Sequence, residues 1–393
     1  MAQLDRTLQT RILVDGVIFD TYPHGGIARV YRELLPRVAD QNPDIQFRVL
    51  IRNAGSHLLP QHVRILGLRF KPWNYRPSRV FSRVNQGRKR VFDEALVQWK
   101  PSLFQSTYYT LSPVPNVKTV AMVYDLIDEQ FPFLMPNGPG FVSRQAGVIR
   151  QADAVVGISR ATTESAIARF GLDRSRTNTL HLDASPAFRP TAEESKTQFR
   201  EAYTRGKPFF LFVGSTGSYK NLGILIRALG QLRDTTDHWL LLAGHSLQHL
   251  EPHWFDVAIQ ARVEDRISRL VHPDDELLCR AYNAAEAFVF PSLQEGFGIP
   301  LIEAMRCGTP VVASDLPVFH EICGDAALFF DPHDHQELAR QLTRIRQPGV
   351  REQVVNLGFE RARRFSWDQA AEQLGQIYLK LALSGQGAPS QFQ

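Results

Sequence analysis

The stretch Ser292-Leu-Gln-Glu-Gly-Phe-Gly-Ile-Pro-Leu-Ile-Glu-Ala-Met-Arg-Cys-Gly308 leaves the chain little freedom. Before it, Ala287–Pro291 is a short apolar run that reads as a buried strand, and Thr309–Ser314 after it reads as another. One continuous helix would set Glu295 and Glu303 roughly 80° apart around its axis. Gly296, Gly298 and Pro300 argue against that helix. Pro300 suits a first helical turn, where its missing N–H costs nothing, and Gly308 suits a helix stop. The expected order is strand, glycine turn, short helix, strand, with one carboxylate in the turn and another in the helix. Main-chain N–H groups at Gly298 and Ile299 would then face an anionic ligand at a helix N-terminus.

That rhythm runs through the whole chain. Strands are expected in the first half at 11–15, 47–52, 103–105, 119–124, 154–158 and 179–182. In the second half they are expected at 209–213, 239–243, 269–272, 287–290, 311–313 and 328–330. Helical patterns separate them, which is the signature of parallel α/β architecture. At 393 residues the chain exceeds what one core usually covers, so two domains are expected. The break at Asp183–Pro190 and the polar run Thr191–Arg205 mark the linker. The expected division is 1–184, a linker at 185–207, 208–365, a helix at 366–383 and a disordered tail at 384–393. The last helix carries Ala370, Ala371, Leu374, Ile377, Tyr378 and Leu381 on one face.

No apolar stretch approaches the ~20 residues that span a bilayer, and Met1-Ala-Gln-Leu-Asp-Arg6 lacks the apolar core of a signal peptide. Cys279, Cys307 and Cys323 are odd in number and scattered, which suits reduced thiols in the cytoplasm and no zinc site. The net charge of +5 is unevenly spread. Nine basic residues and no acidic one lie between Arg64 and Arg90, with Phe70, Trp73, Tyr75 and Phe81 among them. Such a run is either a solvated face or a patch for anionic lipid headgroups at the inner face of a membrane. No nucleic-acid motif accompanies it, so nucleic acid is not an expected partner.

Glu, seven residues and Glu, enclosing Gly-Phe-Gly-Ile-Pro, closely resembles the signature of glycosyltransferase family 4. Phe210-Leu-Phe-Val-Gly-Ser-Thr-Gly-Ser-Tyr-Lys-Asn-Leu222 resembles the strand and diphosphate loop of that family, and Asp325–Pro332 and Phe365-Ser-Trp367 recur at its expected places. Gly25-Gly26-Ile-Ala-Arg29, Tyr124-Asp125-Leu126 and Ile158-Ser159-Arg160 match it in the first half. The resemblance spans residues from about 11 to about 383 and is strongest in the second half.

It implies an α/β chain of GT-B architecture: two Rossmann-like doubly wound domains facing a cleft, with a C-terminal helix crossing back to the first. The implied activity is retaining transfer of a hexose from a nucleotide sugar, GDP- or UDP-linked, to a glycan or lipid-linked acceptor. By family frequency the donor is GDP-mannose and the process polysaccharide biosynthesis. The same fold also serves nucleotide-sugar epimerases and phosphorylases, and a catalytically silent binding subunit is a further alternative.

Site residues follow from the match. Glu295 is expected at the donor sugar and Glu303 at the ribose, and the resemblance adds the main-chain N–H of Phe297 to those of Gly298 and Ile299. Lys220, after the Gly214-Ser215 loop, is expected at the diphosphate, with Gly25 and Gly26 beside a phosphate. Two departures stand out. Tyr219-Lys220 replaces the usual Arg-Lys, removing one cation: either Arg29, Arg160 or an arginine elsewhere compensates, or the diphosphate is held less tightly. Tyr124-Asp125 replaces His-Asp, so a phenol with a pKa near 10 stands where an imidazole usually meets the sugar. Asp125 is expected either to orient the acceptor or to cap and pack. The chain contains no Asp-x-Asp, so no metal or other cofactor is expected.

Overall fold

The computed structural model describes residues 9–52, 55–69, 93–127, 138–244 and 251–384. They fall into two compact units. Of the described residues, the first takes 9–126, 138–182 and 367–384, and the second takes Ile127 and Asp183–Ser366.

In the first unit, seven strands form one sheet among the described residues. They are β1 (Thr10–Asp15), β2 (Ile45–Ile51), β3 (Ile65–Arg69), β4 (Leu103–Ser106), β5 (Lys118–Val123), β6 (Ala154–Gly157) and β7 (Thr177–Thr179). Their order is β3-β2-β1-β4-β5-β6-β7, and each pairing is parallel. The chain moves outward from β1 through β2 to β3, then returns to place β4 on the other side of β1. That reversal is the point where doubly wound sheets open toward ligands. Central strands such as β4 and β6 are buried at every residue, which is why they read as unbroken apolar runs.

The second unit repeats the scheme with six strands: β8 (Phe209–Val213), β9 (Trp239–Gly244), β10 (Ile267–Val271), β11 (Ala287–Phe290), β12 (Val311–Ser314) and β13 (Leu328–Phe330). The order is β10-β9-β8-β11-β12-β13, again with parallel pairings and a reversal between β8 and β11. One core lies between this sheet and the helices Leu222–Leu232 and His335–Arg344, joining Phe210, Phe212, Leu225, Leu229, Val289, Val312, Leu338 and Leu342.

Three expectations need correction. First, β3 was not anticipated: it is an edge strand with Ile65 buried but Leu66 57% exposed, so no continuous apolar signal marks it. Second, the expected strand 179–182 is replaced by β7, whose polar residues Thr177, Asn178 and Thr179 pair with Val155–Gly157. Leu180 and Leu182 are buried just beyond the ladder, so apolarity there marks the core rather than the pairing. Third, much of the expected linker is a helix of the second unit, Glu193–Thr204. Its Phe199 is fully buried and stacks on Tyr203 at 4.5 Å, while Arg200 Nε donates to Ala284 O at 2.9 Å.

The helix Trp367–Leu383 belongs to the first unit, where it packs on the helix Gly26–Gln41. Arg37 Nε reaches Asp368 Oδ1 at 3.1 Å, Tyr378 OH donates to Gln105 Oε1 at 2.8 Å, and the Tyr378 ring meets Phe47 edge-on. Among the described residues no helix is long and apolar enough to cross a membrane. Most of the basic stretch Arg64 to Arg90 lies outside the described residues.

Candidate functional site

At the reversal point of the second unit, the loops after β8 and β11 meet. Gly214 leaves β8 with φ of 143°, a conformation that side-chain-bearing residues rarely adopt. The chain then turns through a short 3₁₀ segment, Ser218–Lys220, into the helix Leu222–Leu232. The two loops are tied by the main chain, Leu293 N donating to Tyr219 O at 2.8 Å.

This brings Lys220 and Glu295 together although 75 residues separate them, with Nζ 2.5 Å from Oε1. Ser292 Oγ donates to the same Oε1 at 2.7 Å. The two charged side chains are only 13% and 12% exposed. The Lys220 ammonium also lies 5.0 Å from the centre of the Phe290 ring and 5.2 Å from that of Tyr219. Tyr219, which stands where a second cation was expected, therefore offers the lysine an aromatic face.

The following helix, Ile299–Cys307, takes the expected form. Gly298 caps it in a left-handed conformation with φ of 105°, Pro300 sits in its first turn, and Gly308 closes it at φ of 71°. In its first turn Pro300 has no N–H and Leu301 N donates to Gly298 O at 3.0 Å, so the Ile299 amide is the one that lacks an acceptor within the helix, as expected at a helix start. Glu303 is on the buried side, 4% exposed, and its Oε2 accepts from Tyr282 OH at 2.9 Å. Tyr282 is itself fully buried, with Phe188 and Phe288 edge-on to its ring. Arg306 on the same helix pairs with Asp183 Oδ2 at 2.7 Å. Cys279 and Cys307 lie with their sulfurs 3.8 Å apart, and Cys323 is buried elsewhere; all three are free thiols.

In the first unit, Gly25 and Gly26 open the helix Gly26–Gln41 directly after the short helix Val17–Thr21. Gly25 has an ordinary φ of −79°, and a methyl group at Gly26 would meet nothing within 4 Å. At Gly25 the same methyl carbon would lie a tight 3.3 Å from Tyr22 O, whereas the helix start at Gly26 is exposed and open. Arg29 is half-buried one turn on, its N–H bonded to Gly25 O at 3.2 Å.

Tyr124 has a different setting from the one expected. It is 5% exposed and its hydroxyl donates to Tyr31 OH at 2.6 Å, within a network that continues through Gln105 to Tyr378. Burial pushes its pKa well above the ordinary phenol value, with the neighbouring Tyr31 adding to the rise. The hydroxyl is held as a donor inside the first unit. Asp125 is half-buried and its carbonyl accepts from Gln145 Nε2 at 3.2 Å.

Three polar residues escaped the sequence. Asp15, at the end of β1, is 4% exposed and bonded to Ser106, Thr107 and Thr110, which lie at the end of β4 and just beyond it. It thereby fastens the reversal point of the first unit, and burial raises its pKa despite those bonds. Its signal was a carboxylate ending an apolar strand run. Ser292 and Tyr282 carried no signal, because their partners are set by tertiary packing.

Residues 194–356 match the family of glycosyl transferases group 1. The chain is 30% identical over 231 residues to the O-antigen chain mannosyltransferase B of Escherichia coli, covering 58% of this chain and 60% of that protein. Among solved structures, a sucrose-phosphate synthase from Thermosynechococcus elongatus superposes with a TM-score of 0.75 at 22% identity, over 95% of this chain and 100% of that one. Anabaena Alr3699/HepE, solved in complex with UDP-glucose, gives 0.74 at 19% identity, over 94% and 99%. These structural likenesses establish a shared fold, that of the GT-B glycosyltransferases.

Proposed function

We propose that this chain, whose residues 194–356 match the glycosyl transferases group 1, is a retaining hexosyltransferase acting from a nucleotide sugar on a glycan or lipid-linked acceptor in polysaccharide assembly. The observation that carries this reading is the largely buried Lys220–Glu295 pair at the β8/β11 reversal, beside the glycine-capped start of a helix. A cation and a helix N-terminus at one sheet edge suit a diphosphate. The mannosyltransferase relative supports mannose, and hence GDP-mannose, as donor; the UDP-glucose complex of the structural neighbour supports a nucleotide sugar more broadly.

In this reading Lys220 and the first-turn amides near Gly298 and Ile299 take the phosphates, with Gly214 and Ser215 lining the loop. Glu303 accepts from ribose hydroxyls and Glu295 from hydroxyls of the sugar. The anomeric carbon–oxygen bond breaks with its electron pair passing to the leaving phosphate oxygen. The acceptor hydroxyl oxygen bonds to that carbon on the same face, and its proton goes to the departing phosphate. Charge stabilisation of that oxygen is the dominant catalytic demand. Lys220 and helix amides meet it without a resident metal, so EDTA is expected to leave turnover unchanged. Asp125 and Arg29 are proposed to contact the acceptor.

The test is a panel of GDP- and UDP-sugars with glycan acceptors, reading released nucleoside diphosphate and the anomeric configuration of the product by NMR. Acceptor-dependent release with retained configuration is expected. Sugar release that requires inorganic phosphate, or no release with any donor, would overturn the reading.

A further inference from the structure

We infer that Glu295 is the exchangeable counter-ion of Lys220, and that this exchange makes the site favour a sugar-bearing nucleotide over the nucleoside diphosphate left after transfer. The inference rests on the reading of Lys220 as the cation for the diphosphate.

The pair is a 2.5 Å contact between side chains that are mostly out of water. Breaking it leaves each charge poorly hydrated unless a new partner arrives. The two partners are held differently. The ammonium sits against Phe290 and Tyr219, ring faces that suit a cation and bias it to stay where it is. The carboxylate lies on a loop beside two glycines, and the bond from Ser292 engages the same oxygen that meets Lys220. A turn of the Glu295 side chain would end both contacts together.

An incoming diphosphate competes with Glu295 for Lys220 and brings further negative charge beside it. A nucleotide sugar resolves the conflict, because its hydroxyls donate to the displaced carboxylate while its phosphates take the ammonium. A free nucleoside diphosphate has no such hydroxyls at that end. It leaves Glu295 unpaired and close to like charge, so the ion pair re-forms as the product departs. Glu295 thus acts twice, on the sugar before transfer and against the product afterward.

The experiment is calorimetric titration of GDP, UDP, GDP-mannose and UDP-glucose into the full chain and into Glu295→Gln, Glu295→Ala, Lys220→Met and the Glu295→Gln/Lys220→Met double variant. Glu295→Gln and Glu295→Ala are expected to bind the nucleoside diphosphate about tenfold more tightly while gaining nothing for the nucleotide sugar. In the Lys220→Met background, Glu295→Gln should change diphosphate affinity less than about twofold, because the ion pair is already gone. Unchanged or weaker diphosphate binding by both Glu295 variants would overturn the inference. A gain that persists at full size without Lys220 would also overturn it, leaving only general repulsion. If Lys220→Met alone binds the diphosphate as well as the parent does, the proposed role of Lys220 fails, and this inference with it.

Discussion

Tyr282 donates its phenolic hydrogen to Glu303 across 2.9 Å, joining the helix Asp275–Ala284 to the helix Ile299–Cys307 inside a wall of aromatic rings. A carboxylate 4% exposed is aimed in part by such a donor. Tyr282→Phe keeps the ring and removes the bond. It is expected to lower unfolding free energy by about 1–3 kcal/mol in urea titrations. A merely structural role would end there. If Tyr282 aims Glu303 at the ribose, the variant will also lose part of its preference for ribonucleotide over 2′- or 3′-deoxyribonucleotide donors, as KM ratios will show.

Lys220→Met should reduce kcat/KM by about 10²-fold or more, since a leaving diphosphate loses its one side-chain cation in the β8 loop. Far-ultraviolet circular dichroism should be unchanged. Steady-state release of nucleoside diphosphate checks the first point. A loss under threefold would remove Lys220 from the chemistry.

Gly298 and Gly26 make a contrast between two glycines at helix starts. At Gly298, φ is 105° and an added methyl carbon would come within 2.8 Å of Leu301 Cδ1. Gly298→Ala is expected to cost about 1–3 kcal/mol and to weaken donor binding. At Gly26 the same methyl group meets open space. Gly26→Ala should stay within about 0.5 kcal/mol of the parent in stability. A raised donor KM in that variant alone would point to close approach of a ligand to the helix start.

His238 supplies the pH dependence. It is 4% exposed, stacks on Phe210 at 4.9 Å, and neither ring nitrogen has a hydrogen-bond partner. Burial, reinforced by Arg346, lowers its pKa from 6.5 to about 4. The unfolded chain therefore takes up a proton before the folded one does. The contribution to stability is complete above pH 6.5 and is lost as pH falls toward about 4. His238→Phe keeps the stack and cannot titrate. Relative to neutral pH, it should hold on the order of 2–3 kcal/mol more stability than the parent near pH 4, measured by urea unfolding across that range. Parallel curves for the two proteins would refute this.

Glycine and proline made the signature turn readable, because Gly298, Pro300 and Gly308 each permit few backbone states and the chain adopts them in order. Buried parallel strands were equally readable, being apolar on both faces. The edge strand β3 was not, since only one of its faces meets the core. Side-chain pairing was the least accessible level. Nothing near Lys220 in sequence points to Glu295, and nothing near Glu303 points to Tyr282; sheet order makes both pairs. Tyr124 carries the same lesson: its motif position says nothing of the packing that turns its hydroxyl onto Tyr31.

The return of the helix Trp367–Leu383 to the first unit has a genetic consequence. A premature stop late in the reading frame would not trim an expendable end. It would strip Tyr378 from Phe47 and leave Gln105 Oε1 without its donor, opening the half of the protein that was synthesised first.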